Sequence, residues 1–169
     1  MNRIILPAAT LALAFALQAQ GPLSTETKQA YNNIKGNLTR AAEKMPDADY
    51  DFKASPDIRT FGALIGHIAQ SQMGTCSAIN GEMKKSDAGS KTSKADLVAA
   101  LKDSFAECDK AFDSLTDANA TQMIKGPRGE RSKLGMLNGI VTHDNEEYGY
   151  LAVYMRVKGV VPPSSDRKR

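Results

Sequence analysis

The sequence predicts an all-α protein, a four-helix bundle preceded by a signal peptide. Three observations predict it. Apolar residues recur at three- and four-residue spacing in four separate stretches, proline or glycine closes most of them, and no strand-like alternation stands out. A length of 169 residues fits one domain with a short appended segment.

The appended segment comes first. Met1-Asn2-Arg3 is a short positive region, and Ile4 to Leu17 is apolar apart from Pro7 and Thr10. Ala16-Leu17-Gln18-Ala19 then supplies small residues where a signal peptidase cuts, so residues 1–19 are read as a signal peptide and 20–169 as the mature domain. Cleavage after Gly21 satisfies the same rule, and an uncleaved anchor is the alternative. No cysteine follows the run to carry a lipid. The mature chain is therefore expected to be exported, periplasmic or secreted, from a bacterium, with no stable membrane anchor.

The first helix is expected to open near Ser24, with Glu26 in its first turn. Leu23, Ala30, Tyr31, Ile34, Leu38, Ala41 and Met45 form its stripe, and Pro46 ends it. Tyr50 and Phe52 alternate in the polar segment that follows, where Pro56 blocks an early helix. The second helix starts at Thr60 and carries Phe61, Leu64, Ile65, Ile68, Gln72, Cys76 and Ile79 before Gly81. Residues 82–92 are rich in Lys, Ser and Gly and read as a mobile linker. Ser93-Lys94-Ala95-Asp96 resembles a capping box and opens the third helix. Its stripe is Leu97, Leu101, Phe105, Cys108, Phe112 and Leu115. Gly126-Pro127-Arg128-Gly129 is turn chemistry, and a fourth helix runs from Ser132 to about Lys158, stopped by Gly159.

Composition removes several function classes. The 22 basic and 19 acidic residues leave a formal charge of +3, or +2 once Arg3 is removed, too balanced for a nucleic-acid binder. No apolar run of about 18 or more residues follows the N-terminus, which excludes a multi-span membrane protein. Tryptophan is absent and aromatics make up 6%, which argues against a stacking platform. Two cysteines cannot supply a four-thiolate zinc site or an iron–sulfur centre. The turn at Gly126 lacks the lysine and hydroxyl of a P-loop.

The two histidines carry the functional argument. Met136, Ile140, His143, Glu147, Leu151 and Tyr154 share one face of the fourth helix, so His143 and Glu147 stand one turn apart. His67 lies between Leu64 and Ile68 in the apolar part of the second helix. Burying two imidazoles and a carboxylate is costly unless each finds a partner, and one divalent cation would satisfy all three. Two histidines and a carboxylate on facing helices, with an open position, is a recognised catalytic-metal set. The plainer alternatives are an exposed His–Glu pair on an acidic turn with Asp144 and Glu146, and a hydrogen-bonded core histidine at position 67.

Arg59-Thr60-Phe61-Gly62-Ala63-Leu64-Ile65-Gly66-His67-Ile68-Ala69 resembles the first histidine motif of the DinB-like superfamily of four-helix metal-dependent proteins. Leu137 to Gly149, which contains His143 and Glu147, is similar to its second motif, and Tyr154 to Ser165 to its usual ending. The resemblance implies an up-down-down-up bundle and three metal ligands, carried over to His67, His143 and position 147. The family pattern has a third histidine where this chain has Glu147. A carboxylate still ligates zinc, nickel or ferrous iron, but lowers the site's net charge by one and its Lewis acidity. The alternative is a degenerate site in which Glu147 only hydrogen-bonds a histidine. The resemblance further implies a metal-dependent thiol transferase, isomerase or hydrolase-type enzyme with a small-molecule substrate. The competing class is a non-enzymatic exported bundle that binds a metal or small ligand.

Two structural expectations accompany this reading. Cys76 stands 16 residues after Thr60 and Cys108 stands 15 after Ser93, so parallel second and third helices bring them level. The connection between the helices can extend to about 40 Å, enough to return along a helix of about 30 Å. Export then favours a Cys76–Cys108 disulfide, worth roughly 3 kcal/mol, over two buried thiols. Met73, Tyr148, Tyr150 and Met155 lie off the core stripes, so a homodimer through the flanks of the second and fourth helices is expected, unless these residues cover the connections.

Overall fold

The computed structural model describes residues 21–166, and the expected signal peptide lies outside them. Four helices carry the fold: α1 (Pro22–Lys44), α2 (Phe61–Ile79), α3 (Lys94–Asp113) and α4 (Lys133–Val157). Their apolar stripes close on one core, which includes Tyr31, Leu38, Phe61, Ile65, Leu101, Phe112 and Leu151, each 1% exposed or less. Tyr31 stacks on Phe112 with ring centroids 3.8 Å apart, which joins α1 to α3. Among the described residues no helix is long and apolar enough to cross a membrane.

Capping follows local chemistry in three helices. Thr60, Ser93 and Ser132 each accept a hydrogen bond from the backbone N–H three residues on, at the starts of α2, α3 and α4. The first helix departs from expectation. It opens at Pro22 with Gly21 before it, and Leu23 is exposed rather than part of the stripe. Ser24 is buried and points elsewhere. Its backbone N–H and its hydroxyl both donate to Asp117 Oδ1 at 2.8 Å, so a carboxylate from a distant turn caps this helix. Those hydrogen bonds, the backbone one first, hold the Asp117 carboxyl below its ordinary pKa.

The pairings fix the helix directions. Ser104 bonds Gln72 and Cys108 bonds Cys76, so contacts along α2 and α3 advance in the same sense. Against α4 they run oppositely: Gln72 meets Asp144, and Arg59, just before α2, meets Tyr154. Lys35–Asp109 and Glu43–Lys102 set α1 against α3 in opposite senses. Cys76 and Cys108 form a disulfide with Cα atoms 4.9 Å apart.

Three expectations need correction. Residues 82–92 are tied down rather than free: Ala88 is fully buried, and a Cβ on Gly66 would lie 2.6 Å from its carbonyl oxygen. A β-hairpin interrupts the all-helical reading, with β1 (Met123–Gly126) antiparallel to β2 (Gly129–Ser132). Its four-residue strands are mostly exposed, so they carry no apolar alternation to read. The Pro127-Arg128 loop between them closes on Gly129 at φ +104°. Finally, Tyr148 and Met155 are buried in the core, which leaves only Met73 and Tyr150 of the apolar surface expected to pair two copies.

Candidate functional site

Helix α2 presents His67, and α4 presents His143 and Glu147 one turn apart, so the antiparallel pair brings all three together. The two Nε2 atoms are 3.1 Å apart. Glu147 Oε1 lies 3.5 Å from His67 Nε2 and 3.7 Å from His143 Nε2. Ligand atoms around a tetrahedral zinc, with bonds of about 2.05 Å, are about 3.3 Å apart. The observed triangle matches that spacing. His67, His143 and Glu147 form a group that could hold a metal ion.

The electrostatics point the same way. Glu147 Oε2 is buried without a hydrogen-bond partner among the described residues. Desolvation raises the Glu147 carboxyl pKa, with the charges of His143 and Arg59 opposing the rise. A buried, unshared carboxylate oxygen is expensive, and a cation is the group that offsets it. Burial pushes His67 below the ordinary imidazole range, and the charges of Arg59, His143 and Arg128 push it further. Neutral imidazole is the form that binds metal.

A buried polar chain stands behind His143. Its Nδ1 faces Asp144 Oδ1 at 3.4 Å, and Asp144 is fully buried. Gln72 Nε2 donates to Asp144 Oδ2 at 2.7 Å, and Ser104 Oγ donates to Gln72 Oε1 at 2.7 Å. Burial raises the Asp144 carboxyl pKa, while the hydrogen bonds from His143 and Gln72 lower it. With the proton on Nδ1 shared with Asp144, His143 turns its Nε2 lone pair into the site. The chain crosses from α4 through α2 to α3.

Two pockets flank the triangle. One, of about 120 Å³, lies under the hairpin and is lined by Ser71, Thr75, Arg128, Arg131, Met136 and His143 among others. The second, of about 640 Å³, opens on the Glu147 side beside Ile58, Arg59, Leu64, Tyr150 and Tyr154. The structure thus brings together the three residues expected as ligands. Sequence reasoning missed Asp144, Ser104 and the three arginines. Gln72, a polar residue on an otherwise apolar stripe, was the signal that could have found the chain behind His143.

The sequence model of a family described as the DinB superfamily matches residues 31–151. Among solved structures the chain resembles a DinB-like protein from Bacillus cereus, with TM-score 0.67 and 19% identity, covering 82% of this chain and 95% of that one. It also resembles a mycothiol-dependent maleylpyruvate isomerase, with TM-score 0.64 and 14% identity, and a point mutant of the mycothiol-dependent maleylpyruvate isomerase, with TM-score 0.65 and 15% identity. Both matches cover 78% of this chain and 61% of the isomerase chain. At these identities the likeness is one of fold. No protein in the curated set matches the chain.

Proposed function

Because the chain belongs to the DinB superfamily, we propose that it is an exported metal-dependent protein that acts on a small electrophilic molecule. The observation that carries this reading is the triangle of His67, His143 and Glu147 donor atoms, 3.1–3.7 Å apart, with one Glu147 oxygen left without a partner. The helix pairings support the up-down-down-up order, which sets the two ligand-bearing helices side by side. Residues 1–19 and the Cys76–Cys108 disulfide support export.

His67, His143 and Glu147 would hold zinc, nickel or ferrous iron. A bound divalent cation supplies Lewis acidity that lowers the pKa of a thiol or water in its open position. Asp144 fixes the His143 tautomer, and Gln72 and Ser104 hold Asp144 in place. The isomerase neighbour favours a low-molecular-weight thiol as nucleophile. Export favours water, since such thiols are chiefly cytosolic. The proposal therefore spans a thiol transferase and a hydrolase-type enzyme. Turnover of an electrophile that requires both metal and nucleophile, and that fails in His143→Ala, tests it. Metal-loaded protein with no turnover on any electrophile, thiol present or absent, overturns it.

A second reading has its own observation. The 3.1 Å between imidazole nitrogens is also a hydrogen-bond distance, so a degenerate site could pair the histidines directly. On that reading the chain is a non-enzymatic ligand-binding bundle, and affinity without turnover identifies it. A homodimer would now rest on Met73 and Tyr150. Light scattering that gives a monomer at tens of micromolar rules it out.

A further inference from the structure

We propose that the pocket between the β-hairpin and His143 is a recognition site for a small oxyanion, a carboxylate or phosphate group on the molecule the site acts on. The inference deepens the metal-site reading and rests on it. Its first support is where the cationic side chains without a partner lie. Lys28, Lys35, Lys44, Lys84, Lys91, Lys94, Lys102, Lys110 and Lys158 all lie against carboxylates. Arg40 and Arg156 donate to Asn37 and Ser165. Lys53 and Lys133 donate to the backbone carbonyls of Pro56 and Ser114. Among the described residues Lys85, Lys125, Arg59, Arg128 and Arg131 have no side-chain hydrogen bond or ion pair, and the three arginines differ from the two lysines in where they lie. All three lie beside the metal triangle, Arg128 and Arg131 in one pocket.

The second support is what lines that pocket. Arg128 and Arg131 come from the hairpin, Ser71 and Thr75 from successive turns of α2, and His143 forms the inner wall. Among the described residues no carboxylate lines it. Two guanidiniums and two hydroxyls offer donors to an oxyanion, and the planar guanidinium fork suits carboxylate and phosphate alike. An occupant held there has one end beside His143.

Third, the hairpin is held rather than free. A Cβ on Gly126 would lie 2.8 Å from Met136 Cε, so β1 packs against the Met136 side chain of α4. A Cβ on Gly74 would stand 3.7 Å from Pro127 Cγ, so the tip rests on α2. The arginines are thus presented by a seated turn. The volume of about 120 Å³ corresponds to roughly four water molecules at about 30 Å³ each. A short carboxylate or one phosphate group fits in that space.

The test titrates the metal-free mature chain with propionate, inorganic phosphate and neutral propionamide, following backbone amide shifts by NMR. Saturable shifts at Ser71, Thr75 and residues 126–131 with either anion, and none with propionamide, are expected. Whichever anion binds identifies the group. Arg128→Gln/Arg131→Gln should weaken binding at least tenfold, the scale of lost charge-assisted hydrogen bonds. Both side chains are exposed, so the fold should survive, and the single variants serve if the double one does not. No saturable shift with either anion, or shifts that persist in the arginine variants, overturns the inference. Zinc uptake by the same preparations, measured after the titration, separates the two readings. Zinc without anion binding defeats this inference alone, whereas anion binding to a chain that takes up no metal defeats the metal reading and leaves the pocket standing.

Discussion

Replacing Glu147 by Gln keeps the side chain's shape and removes its charge, which sets two effects against each other. Glu147 Oε2 is buried with no hydrogen-bond partner among the described residues. Leaving a buried acceptor unsatisfied costs about 1–3 kcal/mol, more for a charged one. The neutral amide removes the added cost of the buried charge, and its NH2 can donate toward whichever imidazole Nε2 carries a lone pair. Metal-free Glu147→Gln should therefore be more stable than wild type by about 1–3 kcal/mol. For a chain of this size that raises Tm by roughly 2–12 °C. Metal binding should move the other way, by more than the roughly 10- to 100-fold that loss of an outer-shell partner costs. The assay is thermal unfolding with and without chelator, at pH 8, on both proteins. The predicted pattern is a variant that melts higher without metal and gains little from adding it. A metal-free variant that melts below wild type would refute the argument, because it would show that the carboxylate is already satisfied.

Three further outcomes are expected. Unreduced, denatured mature protein should show a mass about two units below the dithiol form, and Cys76→Ala/Cys108→Ala should lose about 3–4 kcal/mol for a bridge spanning 32 residues; two alkylatable thiols would contradict the bridge. Asp144→Asn should weaken metal binding about 10- to 100-fold while the protein stays folded, and unchanged affinity would mean that Asp144 does not position His143. The Glu107 carboxyl is held down at about 2 by the hydrogen bond from Asn80, then by Lys84 and Lys110. A lowered carboxylate contributes stability above its unfolded value of about 4.3 and loses it as pH falls toward the folded one. The stability lost between pH 7 and pH 2.5, read from denaturant midpoints, should therefore be smaller in Glu107→Gln than in wild type by on the order of 1–2 kcal/mol, and an equal loss in both would reject this account.

The helices were legible because their signals are local. Ser93 caps three residues ahead, Thr60 does the same, and the stripe from Leu97 to Leu115 repeats at helical spacing. His143 and Glu147 were legible for the same reason, one turn apart on one face. Asp117 could not be read as the cap of α1, because 93 residues separate it from Ser24 and no local signature links them. The hairpin strands are exposed and short, so burial imposed no pattern on them. Sequence alone groups Asp144 with Glu146 as an acidic turn. At about 100° per residue the two diverge: Asp144 turns toward Gln72 and is fully buried, while Glu146 stays in solvent. Arg59 comes from a loop and Arg128 and Arg131 from the hairpin, and only the folded chain places them around the histidines.

The central claim is that His67, His143 and Glu147 hold a divalent metal. Elemental analysis of the mature protein, purified without chelators or affinity histidines, tests it most directly. The account predicts near-stoichiometric zinc, nickel or iron that is lost in His67→Ala and in His143→Ala. A wild-type protein that is empty as purified, and stays empty after incubation with each of these metals, would contradict it.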